Sequence, residues 1–194
     1  MNRYIAFEGI DASGKTTQAK LFYEYLLNKK IKAFFTKEPG GDKKTKEIRK
    51  IILNEHLNDK AKLFLFLADR AQNCENVKKY IQSGCVISDR SLFSTIAYQH
   101  YGSSIDFDFI DKANRFATGG IVPDIVFCID VSVDTMNKRL NKKDSIENRS
   151  SDFFERVRSG YLEMSKSYSN FFIINGEKDV DDVFKDIRGI WEKI

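Results

Sequence analysis

No apolar run in these 194 residues approaches the roughly 18 that a membrane-spanning helix requires, so no segment is expected to cross a bilayer. Cysteine is scarce. Cys74, Cys85 and Cys128 are odd in number and widely spaced, and none forms a C-x-x-C pair. That excludes a disulfide framework or thiolate metal site and predicts reduced, structural thiols in a cytoplasmic protein. Of the two histidines, His56 and His100, neither falls within a motif described below, and both are expected at the surface. Charge of one sign is also in short supply. A net +4 suits a protein that handles anions but is too small to argue for a nucleic-acid partner. Internal repeats and low-complexity stretches are missing too. Met1 leads directly into an apolar run, so no leader peptide is expected. What remains is 42% apolar and 31% charged, enough for one packed domain spanning residues 1–194.

The most informative stretch is Tyr4 to Thr17, YIAFEGIDASGKTT. Tyr4–Phe7 reads as a buried strand, and from Thr16 the sequence is amphipathic at helical spacing. Between them, Gly9, Ile10, Asp11, Ala12, Ser13, Gly14, Lys15 and Thr16 fit G-x-x-x-x-G-K-[ST]. The glycines let successive backbone N–H groups turn inward around a phosphate, and the helix beginning at Lys15 aims its positive end at the same point. Lys15 is placed to reach the β- and γ-phosphates of a nucleoside triphosphate, and the Thr16 hydroxyl to hold Mg²⁺; Thr17 completes the set.

The rest alternates. A helix from Thr16 to Lys29 carries Ala19, Phe22, Tyr23, Leu26 and Leu27 on one face, and Ile31–Thr36 reads as a strand ending at Lys37-Glu38-Pro39-Gly40-Gly41. Helices are expected over Lys43–Leu53 and Lys60–Gln82, the latter capped by Gly84. Cys85–Ser88 is an apolar strand delivering Asp89 and Arg90, followed by helices over Phe93–Tyr101 and Phe107–Ala117. Ile125–Ile129 is a strand, Val133–Leu140 a helix, and Asn141–Ser151 a charged loop. A helix over Asp152–Tyr168, a strand over Phe171–Ile174 and a closing helix over Asp179–Ile194 finish the chain. The strands are unbroken apolar runs, which predicts a parallel sheet covered on both faces: a doubly wound α/β fold of the P-loop type with about five strands.

Two uses of a triphosphate compete. Asn141-Lys142-Lys143-Asp144 spells N-K-x-D, as in GTP-driven switches, but it does not follow directly from a strand. The D-x-x-G matches, Asp11–Gly14 and Asp186–Gly189, lie in the phosphate loop and the last helix, where a switch has no use for them. Phosphoryl transfer fits better. Asp89, at the carboxyl end of a buried strand, can hold the water shell of Mg²⁺, and Arg90 can grip a second phosphate bidentately.

FEGIDASGKTT, TKEPGG, LFLADRAQ, DRSLFSTIAYQ and DFFERVRSGYLEM, in this order, resemble bacterial thymidylate kinases from Ile5 to about Tyr161. The resemblance implies transfer of the γ-phosphate of ATP to dTMP, with Mg²⁺, by a homodimer. It implies that Phe66 stacks on thymine while Arg70, four residues on, hydrogen-bonds a base carbonyl. From spacing alone, Phe66 is expected in the core with Leu63 and Leu67, and Arg70 as a solvated charge; the resemblance reverses that expectation. It further implies that Arg90 binds the dTMP phosphate and that Asp11 lies near sugar and phosphate. Tyr98 is placed beneath the deoxyribose, with Thr95 and Gln99 at the base edge. Where relatives have arginine before E-P-G-G this chain has Lys37, which keeps the charge and loses the planar fork. In the lid segment, about 139–151, Arg139 matches a residue that stacks on adenine, and Lys143 and Arg149 are the candidates for transition-state charge. The alternatives are a kinase of the same fold for another nucleoside monophosphate or deoxynucleoside, and a non-catalytic nucleotide switch.

Overall fold

A computed structural model of the chain describes residues 2–140 and 149–194. Five strands, β1 (Tyr4–Glu8), β2 (Ala33–Lys37), β3 (Cys85–Asp89), β4 (Ile125–Asp130) and β5 (Phe171–Asn175), form one sheet in the order β2-β3-β1-β4-β5. All neighbouring pairs are parallel. Alternate residues of one strand point to opposite faces, and both faces are covered. On one, Ile5, Phe7, Ile87 and Phe127 pack against Phe22 and Leu26 of α1 (Lys15–Asn28) and Ile187 and Trp191 of α8 (Val180–Trp191). On the other, Ala6, Val126 and Cys128 meet α3 (Asp59–Ile81), α5 (Phe107–Thr118) and α7 (Ser151–Ser167). This explains why the strands read as continuous apolar runs.

Register sets the site. Phe7 lies opposite Asp89, Glu8 opposite Cys128, and Lys37 opposite Asp89, so Glu8, Lys37 and Asp89 reach one edge of the sheet together.

Four local expectations are corrected. The segment from Lys43 is a 3-10 turn, Lys43–Thr45, under an Asp42 cap, and α2 follows over Lys46–Asn54. The helix expected over Phe93–Tyr101 is α4 (Leu92–Thr95) continuing into a π-helical turn, Ile96–Gly102, in which the Ser103 N–H reaches back to the Tyr98 carbonyl at 3.0 Å. A π turn holds one more residue than an α turn, which seats Thr95, Tyr98 and Gln99 all facing inward. Gly84 does not cap α3 with a left-handed residue; the helix closes on Gln82. Glycine is needed at 84 because a β-carbon there would collide with the Lys32 carbonyl. Finally, His56 is exposed as expected, but His100 is half-buried, with Nδ1 2.8 Å from the Ile105 carbonyl.

Candidate active site

The phosphate loop runs from the end of β1 into α1 through three residues with left-handed or related backbone: Gly9 (φ 135°), Ala12 (φ 52°) and Gly14 (φ 96°). At Gly9 a β-carbon would run into the Ile129 carbonyl and the Ser13 side chain, so the loop can lie this close to β4 only with glycine there. No side chain caps α1 and no acid sits in its first turn, which leaves its N–H groups open to an anion. Ile10 is buried, and its carbonyl accepts from Lys15 Nζ at 3.1 Å. Lys15 is itself buried; burial and the nearby Arg90 push its pKa down, against Asp11, Asp89 and Glu8.

Two cavities open on either side of this loop. The first, about 330 Å³, gathers Asp11, Ala12, Lys15, Thr16, Lys37, Phe66, Arg70, Asp89, Arg90, Thr95, Tyr98 and Gln99. Every residue assigned from the sequence to an acceptor pocket is among them. Phe66 lines this space, while Leu63 and Leu67 of the same helix belong to the core. Lys37 stands exposed at the rim. The second cavity, about 310 Å³, takes Ala12, Ser13, Gly14, Thr17 and Arg139. Arg139 donates to the Gly176 carbonyl (3.1 Å) and to that of Ser13 (3.5 Å), bracing the end of α6 (Val133–Arg139) against the phosphate loop.

Within the first cavity, Arg90 Nη1 donates to the Gly9 carbonyl at 3.3 Å and to Ser94 Oγ at 3.1 Å. Its Nη2 pairs with Asp11 and reaches the Tyr98 hydroxyl at 3.3 Å. The guanidinium lies over the Tyr98 ring, 5.0 Å from its centroid. Burial opposes ionisation of Asp11, but Arg90 and Lys15 beside it and the Tyr98 hydrogen bond hold its carboxyl below the usual range. Thr16 Oγ1 donates to Asp89 Oδ2 at 2.6 Å, and the other Asp89 oxygen is buried with no partner among the described residues.

Arg70 is held from every side. Nε donates to Glu38 at 2.8 Å, Nη1 to Thr95 (2.6 Å) and Asn114 (2.8 Å), and Nη2 to the Ser91 carbonyl (2.9 Å). Four of the five N–H groups of a guanidinium are thereby used.

Arg149 does not join either cavity. It pairs with Asp59 at the start of α3 and stacks over Phe153, 5.1 Å from the ring centroid. Lys143, and with it the N-K-x-D stretch, lies outside the described residues. Sequence reasoning missed Glu8, Glu38, Ser94, Asn114 and Arg49. Arg49 lines the first cavity and donates to the Pro39 carbonyl at 2.8 Å. Glu8, Glu38 and Ser94 stand inside FEGIDASGKTT, TKEPGG and DRSLFSTIAYQ and could have been found from those motifs; for Arg49 and Asn114 no local pattern exists.

The sequence model of the thymidylate kinase family matches residues 7–187. A thymidylate kinase of Thermosipho melanesiensis is 47% identical over 191 residues, 96% of each chain, and one of Thermosipho africanus is 44% identical over 196 residues, 98% of each. The crystal structure of thymidylate kinase from Ehrlichia chaffeensis superposes with a TM-score of 0.81 at 31% identity, covering 97% of this chain and 98% of that one.

Proposed function

The chain belongs to the thymidylate kinase family, and on that premise we propose how its two cavities divide the work of phosphorylating dTMP to dTDP with ATP. The observation that carries the assignment is the placement of one phosphate loop between two cavities. The cavity with Arg139 takes the donor, and the cavity with Phe66, Arg70, Arg90 and Tyr98 takes the acceptor. Lys15, which lines the acceptor side, supplies charge where the transferred phosphoryl group passes between them.

The acceptor is a phosphate oxygen already ionised near neutral pH, so the protein needs no general base. Its task is to align two polyanions and offset their repulsion. Arg90 receives the dTMP phosphate, with Lys37 at the rim adding charge. Phe66 offers a stacking face, Thr95 and Gln99 border the base, and Tyr98 underlies the sugar. Arg139 lies against the donor base. For Mg²⁺ the residues fit: the donors are oxygens, Thr16 Oγ1 and an Asp89 carboxylate with one unpartnered buried oxygen. No cluster of three or more metal-binding side chains exists among the described residues, which suits an ion held mainly by phosphates and water. When bound, Mg²⁺ would screen the donor phosphates. Arg149 and Lys143 stay the candidates for transition-state charge from the lid.

A homodimer is supported by an apolar face on α3 and α5, where Phe64, Phe109 and Phe116 are 59%, 46% and 91% exposed. A second copy covers it in this reading, and sedimentation of the purified chain at monomer mass would refute that. Three buried cysteines, none of them in a disulfide among the described residues, support a cytoplasmic setting. No described helix is long and apolar enough to cross a membrane.

The direct test is ADP release from Mg·ATP with dTMP, dUMP, UMP, AMP and thymidine offered separately. Strong release with dTMP and weak release with UMP is expected. Preference for another acceptor would overturn the pocket assignment, and no release with any would favour a non-catalytic protein.

A further inference from the structure

We infer that Glu8, which touches neither cavity, is the positioning residue that aims Arg90 at the acceptor phosphate; the inference rests on the phosphate-binding reading of Arg90 above. Glu8 ends β1 and is fully buried. A carboxylate is costly to place there unless each oxygen is satisfied. Both oxygens are. Oε1 accepts from the Ser91 N–H (2.7 Å) and the Ser91 hydroxyl (2.8 Å), and Oε2 from the Ser94 hydroxyl (2.6 Å) and the Tyr161 hydroxyl (2.9 Å). Two of these partners, Ser91 and Ser94, follow Arg90 one and four residues on.

Arg90 needs holding. Its φ of 75° is a left-handed backbone rarely adopted by residues with side chains, and such a conformation persists only when its surroundings over-determine it. The Arg90 N–H donates to the Phe7 carbonyl at 2.9 Å, Ser88 Oγ donates to the Arg90 carbonyl at 2.6 Å, and Glu8 Oε1 clamps the next N–H.

The second oxygen sets polarity. Ser94 has one hydroxyl proton, and it goes to Glu8; a lone pair is therefore left to accept from Arg90 Nη1 at 3.1 Å. An amide in place of the carboxylate breaks this in either orientation. With its NH₂ toward Ser91 it meets an N–H donor. With its NH₂ toward Ser94 it donates to Oγ, and the serine proton must leave Glu8, either for the Tyr161 hydroxyl 3.0 Å away or against Arg90. A purely space-filling role would tolerate Glu8→Gln; a template for Arg90 would not.

The test is calorimetric binding of dTMP and of thymidine, which lacks the phosphate, to the whole chain. Glu8→Gln should weaken dTMP on the order of tenfold while thymidine stays within about twofold. Should Glu8→Gln fail to fold, Ser94→Ala cuts the same relay at its far end and should give the same phosphate-selective loss. Equal weakening of both ligands, or no change in either, overturns the inference. Arg90→Ala separates the two claims. If it leaves the preference for dTMP over thymidine intact, the phosphate reading of Arg90 falls and Glu8 falls with it. If it removes that preference and Glu8→Gln retains it, the Glu8 inference alone is wrong.

Discussion

Asp11 and Arg90 form an ion pair in the acceptor cavity, and the Tyr98 hydroxyl closes it by donating to Asp11 Oδ2 at 2.8 Å. The pair has a pH signature. Folded, the Asp11 carboxyl titrates below its unfolded value of about 3.9, so the folded state binds fewer protons than the unfolded one across that window. Its contribution to stability is complete above the unfolded value and is lost as pH falls through the folded one. The stability gap between wild type and Asp11→Asn should thus be largest near pH 7 and shrink from about pH 5 downward. Urea melts at several pH values read it directly, and a gap constant to pH 3 would remove the ion pair from the account.

Lys15→Ala should abolish transfer with the fold intact. The side chain is buried, with its ammonium 3.1 Å from the Ile10 carbonyl and 3.9 Å from Asp11, both in the loop. Loss of one preorganised cation is expected to cost about 10²–10³ in kcat. Wild-type turnover in a folded variant would refute the role.

Phe66→Ala should raise the KM for dTMP well before that for ATP, because Phe66 lines the acceptor cavity and not the donor one. Base stacking is worth about 1–3 kcal/mol, or roughly 5- to 150-fold. An unchanged KM for dTMP would mean that the ring serves packing.

The mirror-image prediction concerns Arg139, which borders the donor cavity and braces Gly176. Arg139→Ala should raise the KM for ATP by about tenfold, as expected for one lost stacking or hydrogen-bonding partner, and spare dTMP. Steady-state kinetics with each substrate varied in turn decides it.

The phosphate loop and the parallel character of the sheet were legible because both are written locally, in an eight-residue pattern, Gly9–Thr16, and in apolar runs of strand length. The faces of α3 were legible too: Phe66 and Arg70, four apart, do reach the same cavity. The supports behind the site were not. Glu8 finds its partners at Ser91, Ser94 and Tyr161, and Arg70 finds one at Asn114, contacts that exist only once distant elements pack. The π turn at Ile96–Gly102 escaped for another reason. A single surplus residue does not disturb the apolar spacing that announces a helix. Arg149 shows the opposite limit, since a charged residue in a charged stretch gives no sign of which acid it meets, here Asp59.

Arg70, clamped by Glu38, Thr95, Asn114 and Ser91, offers the acceptor pocket a donor and nothing else. A base that presents a carbonyl oxygen at that point can be read; one that presents an amino group sets donor against donor. Thymine and uracil share the carbonyl, whereas cytosine carries the amine. In the proposed base-reading role the guanidinium would sort bases by hydrogen-bond polarity, leaving discrimination between dTMP and dUMP to contacts with the 5-methyl group. dCMP should fail to displace dTMP at concentrations where dUMP succeeds, and displacement by dCMP as effective as by dUMP would take this sorting away from Arg70.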